Sequence, residues 1–209
     1  MRLTAEVRWI WPGPIPDDVQ AWFDGLGDQP PIEKHRTDRY LVPTAPGGLN
    51  VKRRKGRLEI KRCAGIYGVE DLAVNVRGAV DIWTKWRFPL DDPDQRPDTD
   101  EWWDIEKHRL TRVFVLDRNT LREATSENAP DEGCDLELTR LVVQGKEYCS
   151  ICFEGFDNDA TSKADTQPLV NMLRLAIAFT IRHGPPRPLL ADCSVSYADW
   201  LRTAVYGDE

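Results

Sequence analysis

Five short stretches of this chain carry charged residues two positions apart, with apolar residues between or beside them. They cover residues 6–8, 52–54, 59–61, 85–87 and 107–109. Because a β-strand sends alternate side chains to opposite faces, each stretch places two charges on one face. One such strand has an ordinary solvated face. Five strands with the same pattern, mostly with positive charge, predict a sheet that curls around a polar, cationic interior, which would suit a polyanion.

The composition sets limits on the fold and on the partners. A chain of 209 residues with 41% hydrophobic residues and eight Trp is long enough for one domain with a real core. The formal net charge is −7, so we expect no nonspecific nucleic-acid binding, which needs a basic surface. An acidic exterior around a basic interior would select ligands small enough to enter.

The five Cys are odd in number, and no secretory signal or run of about 18 apolar residues is present. We therefore expect a cytoplasmic protein with free thiols and no membrane partner. Cys149 and Cys152 form a CxxC motif, for which zinc binding and redox chemistry stay open beside the simpler interpretation as buried structural thiols. The favoured interpretation is the structural one, because the motif lies in a strand-like run.

The order of predicted elements indicates an α+β fold. Strands are predicted at residues 3–11, 39–42, 49–53, 58–62, 80–88, 105–116, 136–143 and 148–156, and helices near 17–26, at 166–183 and at 196–205. Residues 69–76 and 119–124 fit either a strand or a short helix, and the Pro- and Asp-rich residues 89–100 predict a loop.

We predict an antiparallel, closed β-barrel, or tunnel, of about eight strands with peripheral and C-terminal helices, because closure removes the unpaired edges of a long sheet. Residues 1–209 would form a single domain, with the barrel at about 3–156 and a C-terminal helical extension at about 161–205.

Three segments resemble a known family when taken in order. They are residues 38–62 (DRYLVPTAPGGLNVKRRKGRLEIKR), 105–116 (IEKHRLTRVFVL) and 136–156 (LELTRLVVQGKEYCSICFEGF). Their succession is similar to that of the CYTH family, also called triphosphate tunnel metalloenzymes. In that family a basic hairpin is followed by a K-x-R strand, an E-x-D strand, a Gly turn and an E-x-E strand.

The resemblance implies that a closed tunnel binds phosphates through basic residues and Mg²⁺ or Mn²⁺ through acidic ones. The implied phosphate ligands are Lys52, Arg54, Lys61, Lys85, Arg87, Lys107 and Arg109. The implied metal ligands are Glu6, Glu59, Glu137 and Glu154.

Three family positions for acids carry other residues. Arg8 stands in place of the second acid of the opening E-x-E-x-K. Thr139 stands in place of the Asp of the E-x-D strand, and Cys152 in place of the first Glu of the last E-x-E. A hard divalent cation needs carboxylate oxygens, and metal-assisted hydrolysis needs the cation. The departures therefore predict a tunnel that binds phosphate, with Arg8 as a further ligand, and hydrolyses it weakly or not at all.

Three functions stay open at this stage. The first is a small phosphate-rich ligand bound without efficient hydrolysis, and the second is an active metal-dependent triphosphatase. The third is a non-enzymatic interaction protein, whose charges pair with one another as Lys52 and Glu59 would across a hairpin. The pattern does not fix the oligomeric state.

Overall fold

The computed structural model describes residues 2–42, 44, 48–91, 101–117, 120–124, 130–158, 166–182 and 184–207. Within these residues the strands are β1 (Arg2–Pro12), β2 (Ile32–Leu41), β3 (Leu49–Arg54), β4 (Arg57–Ala73), β5 (Val76–Pro89), β6 (Trp102–Asp117), β7 (Thr120–Glu123), β8 (Glu132–Val143) and β9 (Lys146–Asp157). The α-helices are α1 (Asp17–Asp24), α2 (Gln167–Thr180) and α3 (Tyr197–Tyr206), and a 3₁₀ turn covers Ala191–Cys193.

Eight strands close into an antiparallel barrel. Their order is β2-β3-β4-β5-β1-β9-β8-β6, and β6 pairs back with β2. The short strand β7 adds to β6 outside this ring. The prediction of a closed antiparallel barrel in an α+β fold is confirmed, and the β2–β6 pairing is the seam that closes it.

The main apolar core lies outside the barrel wall. Alternate residues of β1, such as Ala5 and Val7, are fully buried and share one hydrophobic cluster with Leu169 and Leu173 of α2. The residues between them, such as Glu6, point to the inside. Burial against α2 therefore leaves the interior free to be polar.

Helix α3 packs where the inward-facing rows turn apolar. Ile10 and Leu141 end the inward rows of β1 and β8, and they form a second cluster with Trp200 and Leu201 of α3. The helix begins after Ser196, whose hydroxyl accepts a hydrogen bond of 3.1 Å from the backbone N–H of Asp199. One end of the interior is thus lined by apolar side chains.

Most local predictions agree with the structure, and the differences have physical reasons. Lys55, Gly56 and Gly145 have positive φ in the two predicted hairpin turns. Strand β2 begins at Ile32, well before residue 39, because it pairs with β6 from Ile32 onward and its inward Arg36 and Asp38 form ion pairs inside the barrel. Residues 69–73 continue strand β4 through β-bulges, and residues 120–123 are a strand.

The predicted loop at 89–100 lies mostly outside the described residues, which resume at residue 101. Among the described helices, none is long and apolar enough to cross a membrane.

Candidate functional site

The inward-facing rows surround a cavity of about 310 Å³. Its cationic side chains are Arg2, Arg8, Lys34, Arg36, Lys52, Arg54, Lys61, Lys85, Arg87, Lys107 and Arg109, and its acidic ones are Glu6, Glu59, Asp135, Glu137 and Glu154. Eleven cations face five acids there, although the whole chain has a net charge of −7. Positive charge is therefore concentrated inside the barrel.

All eight side chains predicted to bind phosphate and all four predicted to bind metal line this one cavity. The structure thus brings the predicted set together, while the role of each residue stays a prediction. The shared two-residue period is the reason, since a closed barrel turns one face of every strand inward.

Several lining residues were missed by the sequence analysis. Lys34, Arg36 and Tyr40 lie on β2, and Tyr197 starts α3. Residues 34–40 carry charged residues two positions apart, as the five stretches above do, so half of that signal is present in the sequence. It was hidden because the residues between the inward ones are also polar.

Asp38 lies on the inward face of β2, fully buried beneath cationic side chains that line the cavity. Its carboxylate lies 3.1 Å from Arg36, 3.2 Å from Lys52, 3.7 Å from Arg54 and 3.8 Å from Lys107. Burial alone would raise its pKa, but Lys52 and Lys107 lower that pKa to about 2. Asp38 is therefore an anion at any working pH, and it fixes four cationic side chains in place.

Glu59 on β4 also holds several cations, on the other side of β3 from Asp38. Its carboxylate lies 3.3 Å from Arg87, 3.4 Å from Lys52 and 3.5 Å from Lys85. The cross-strand pair Lys52–Glu59 expected from the sequence is present. Three cationic neighbours suit a counter-ion better than a metal ligand, because a divalent cation at this place would be repelled by them.

The remaining acids form a row across three neighbouring strands. In the sheet register Glu6 lies opposite Glu154, and Glu154 lies opposite Asp135, so the three carboxylates follow one another on β1, β9 and β8. Glu137 follows Asp135 on the same face of β8. The family pattern missed Asp135, which lies two residues before Glu137, whereas the expected position two residues after it holds Thr139.

Basic residues occupy most of this acidic row. Lys61 forms ion pairs with Glu6 and, at 3.4 Å, with Glu154. Burial would raise the pKa of Glu154, but Lys61 and Lys85 lower it to about 2. Burial, together with the charge of Glu154, raises the pKa of Asp135 to about 7. Asp135 is therefore half protonated near neutral pH.

The donor atoms of the row suit Mg²⁺ or Mn²⁺, which prefer oxygen ligands. Glu6, Asp135 and Glu154 are the residues that could hold such an ion. In the described part of the chain, however, these three carboxylates do not bring one oxygen each within 4.8 Å of one another. Lys61 lies between two of them, so metal binding would require Lys61 to move.

Arg8 holds a fixed place beside the acids. Its guanidinium donates a hydrogen bond of 3.0 Å to the hydroxyl of Ser150 and lies 3.7 Å from Glu137. Arg109 forms a closer ion pair with the same Glu137. Glu137 is thereby engaged by two guanidinium groups.

Two lysines in the cavity are held with depressed pKa values. Burial, with the nearby charge of Lys61, lowers the pKa of Lys85 to about 8. Burial and Lys52 lower the pKa of Lys107 well below its usual range. Lys107 donates a hydrogen bond of 2.7 Å to the Tyr40 hydroxyl. A bound anion would raise the pKa values of both lysines, because a nearby negative charge favours the protonated ammonium form.

The CxxC motif forms no joint site. Cys149 belongs to the apolar cluster outside the barrel, whereas Cys152 lies opposite Arg8 and Glu137 in the register of the inner face. Residues three apart in a strand point to opposite faces, so the two thiols cannot share a metal or a disulfide. Both thiols are buried and free, and burial raises the pKa of each to about 12.

Comparison with known proteins yields fold likenesses alone. No family model and no curated protein sequence matches the chain. One similar solved structure is a conserved hypothetical protein from Pyrococcus furiosus, with 11% identity, a TM-score of 0.48, and coverage of 94% of this chain and 98% of that one. Another is the Pct1 RNA triphosphatase of S. pombe in complex with the Spt5 CTD, with 14% identity, a TM-score of 0.36, and coverage of 91% and 86%. Likenesses this distant carry no argument about function.

Proposed function

We propose that this chain binds a compact polyphosphate, either tripolyphosphate or the triphosphate of a nucleotide, inside its barrel. The observation that carries the proposal is the set of eleven cationic side chains around one cavity in an otherwise acidic chain. Guanidinium and ammonium groups form charge-assisted hydrogen bonds to phosphate oxygens, and Arg does so in a bidentate manner.

The arrangement of the counter-ions supports a ligand of high negative charge. Asp38 and Glu59 hold the cations but neutralise few of them, so the cavity keeps an excess of positive charge. Partly desolvated charges interact more strongly than exposed ones, because the local dielectric is lower than that of water. A long nucleic acid is disfavoured, because the cations lie inside the barrel and the chain as a whole is acidic.

The ion pairs of the acids favour binding without efficient hydrolysis, because they leave few carboxylates for a metal ion. Glu137 is engaged by Arg8 and Arg109, and Glu6 and Glu154 share Lys61. A guanidinium stays charged at every working pH and repels a divalent cation. Arg8 can instead donate to a phosphate oxygen, so affinity would survive where chemistry does not.

Metal-dependent triphosphate hydrolysis is the second candidate, and the row formed by Glu6, Glu154 and Asp135 favours it. A Mg²⁺ or Mn²⁺ ion there would neutralise phosphate charge and stabilise the leaving oxygen. The chain's own residues would bind the remaining phosphate oxygens from the cationic strands opposite. For this to happen Lys61 would have to leave the acids for the substrate.

Titration calorimetry with tripolyphosphate in EDTA tests the first candidate, with Arg87→Ala as the site variant and Arg122→Ala as its control. Arg87 and Arg122 are 51% and 55% exposed, and each pairs with one carboxylate, at 3.3 Å and 3.1 Å, but only Arg87 lines the cavity. We expect binding that weakens with salt, roughly tenfold weaker for Arg87→Ala and unchanged for Arg122→Ala. Equal affinity of both variants, or no binding at low salt, would contradict the proposal.

Phosphate release in Mn²⁺ separates the two candidates. Steady release by the wild-type chain that Glu154→Gln abolishes would establish the second. Tight binding with no release in Mg²⁺ or Mn²⁺ would support the first.

A further inference from the structure

His35 and His108 face each other on the outer surface of the barrel, where β2 pairs with β6. Their rings are stacked, with centroids 3.8 Å apart and an interplanar angle of 20°. Glu33 lies two residues before His35 on the same face of β2. One oxygen of Glu33, Oε1, lies 3.0 Å from Nε2 of His35 and 2.6 Å from Nε2 of His108. Three potential ligand atoms thus meet at one point, all within 4.8 Å of one another.

We propose that Glu33, His35 and His108 form a site for a divalent transition metal, with Zn²⁺ as the first candidate, on the outside of the barrel. Zn²⁺ binds imidazole nitrogen and carboxylate oxygen at about 2.0–2.2 Å, which places tetrahedral ligands about 3.3 Å apart. The observed N···O distances of 3.0 and 2.6 Å need to open by less than about 1 Å, and the stacked rings need to turn until both in-plane nitrogen lone pairs point at the ion. Both imidazoles would bind through Nε2, with water in the fourth position.

The donor set separates this site from the acids inside the barrel. Two imidazoles with one carboxylate suit Zn²⁺, Cu²⁺ or Ni²⁺, whereas the all-oxygen row inside suits Mg²⁺ or Mn²⁺. The two sites lie on opposite faces of the barrel wall, because His35 and His108 point outward while Lys34 and Arg109 line the cavity. The proposal is therefore independent of polyphosphate binding.

The position on the seam gives the metal a structural consequence. The pair His35–His108 lies between the pairs Lys34–Arg109 and Arg36–Lys107, whose four cations line the cavity. Like charges opposite one another on neighbouring strands weaken the pairing. A metal ion that joins β2 to β6 from outside would oppose this repulsion and hold the barrel closed.

The test uses the full chain without an affinity tag, freed of metal by EDTA and then dialysed. Zn²⁺ at 100 times its dissociation constant should raise the melting temperature by roughly 5–10 °C, and Mg²⁺ should not. His35→Gln and His108→Gln should each weaken Zn²⁺ binding at least tenfold by calorimetry. The control Glu106→Gln, an exposed carboxylate on the same face of β6, should leave it unchanged.

Two further measurements identify the ligands. Zn²⁺ should shift the Nε2 resonances of two histidines in nitrogen-15 spectra, and it should slow hydrogen exchange of the amides in β2 and β6. Co²⁺ should give a visible spectrum without a thiolate charge-transfer band, because the proposed ligands include no thiol. The band would reveal binding at Cys63 or Cys193, the two half-buried thiols. A thiolate band, or Zn²⁺ affinity unchanged in a folded His35→Gln/His108→Gln variant, would overturn the proposal. Tripolyphosphate binding in EDTA is measured separately and does not depend on this outcome.

Discussion

Burial in the cavity lowers the pKa of Lys85 into the range where its charge depends on the working pH. Its pKa of about 8 means that the free chain loses this charge at mildly alkaline pH. Asp135 gains a negative charge as the pH rises through about 7. As the pH rises, both changes lower the net positive charge of the cavity.

We therefore expect the affinity for sulfate, whose own charge is constant in this range, to fall as the pH rises from about 6.5 to 9. Lys85→Arg should flatten the part of the profile above pH 8, because a guanidinium stays protonated there. Calorimetry across the pH range measures both profiles. An affinity that rises with pH in the wild-type chain would contradict the assignment of these two groups.

Arg109 provides a second test at the residue scale. It lines the cavity and pairs with Glu137, whereas Arg187 lies outside it and pairs with Asp18 at 3.3 Å. We expect Arg109→Ala to weaken tripolyphosphate binding by about 2 kcal/mol, in the range of hydrogen bonds to charged groups, and Arg187→Ala to have no effect. Calorimetry at matched ionic strength decides the matter, and equal losses for the two variants would count against the tunnel.

Asp38 concerns stability more than binding. Since its pKa is depressed to about 2, its ion pairs stabilise the fold above the unfolded pKa of about 4 and lose that effect as the pH falls toward 2. Asp38→Asn should lower the free energy of unfolding at pH 7 by about 3–5 kcal/mol, because four cations then lack their buried partner. The same substitution should cost less at pH 3, where the wild-type chain has itself lost part of this stabilisation.

Urea unfolding at both pH values measures this difference. The control Asp104→Asn changes a carboxylate that is 63% exposed and 3.8 Å from Arg39. It should change stability little at either pH. A pH-independent cost for Asp38→Asn would show that its charge is not the stabilising feature.

Helix α2 approaches the barrel wall where β9 carries Gly155. A Cβ atom at this position would lie 2.5 Å from the backbone oxygen of Leu169. Gly155→Ala should therefore push the helix from the wall and destabilise the fold by about 1–3 kcal/mol. The matched change Gly65→Ala should be nearly neutral, since its Cβ would meet nothing closer than Ile82 at 3.9 Å. Thermal unfolding of the two variants compares these costs.

The elements that could be predicted are those in which apolar and charged residues alternate. The stretch at 80–88 is such a case, and it lies within β5. Strand β2 was predicted too short because residues 33–39 are nearly all polar, and no periodic apolar signal marks them. Apart from Arg36, the ion-pair partners of Asp38 lie on β3 and β6, so they could not be identified from the residues next to it in sequence.

At the scale of the whole molecule, the backbone pairing of β2 with β6 closes the barrel, and the cationic side chains line its inside. The apolar cluster outside the wall supplies burial, while a few acids inside, such as Asp38 and Glu59, hold the cations in place. The presence of a cationic interior could be predicted from the two-residue period. The strand register could not, and it is the register that aligns Glu6, Glu154 and Asp135 in one row.

Whether this acidic row binds a metal ion decides between binding without hydrolysis and metal-dependent hydrolysis. Substitutions of Arg8, which lies beside Glu137, test this. Arg8→Glu would add a carboxylate beside Glu137 and remove the repelling guanidinium, so Mn²⁺ affinity should rise at least tenfold. Arg8→Met removes the charge without adding a ligand and should give a smaller rise. Tripolyphosphate affinity in EDTA should fall in both variants, because each lacks one donor to the phosphate.

Calorimetry with Mn²⁺ and with tripolyphosphate, beside a phosphate-release assay, distinguishes the possible results. Higher Mn²⁺ affinity in Arg8→Glu than in Arg8→Met would show that the acids of the row act together once Arg8 is gone. If Arg8→Glu also releases phosphate where the wild-type chain does not, a carboxylate at residue 8 is sufficient for turnover. Brisk release by the wild-type chain, reduced in Arg8→Met, would instead make Arg8 a phosphate-binding residue of an active triphosphatase.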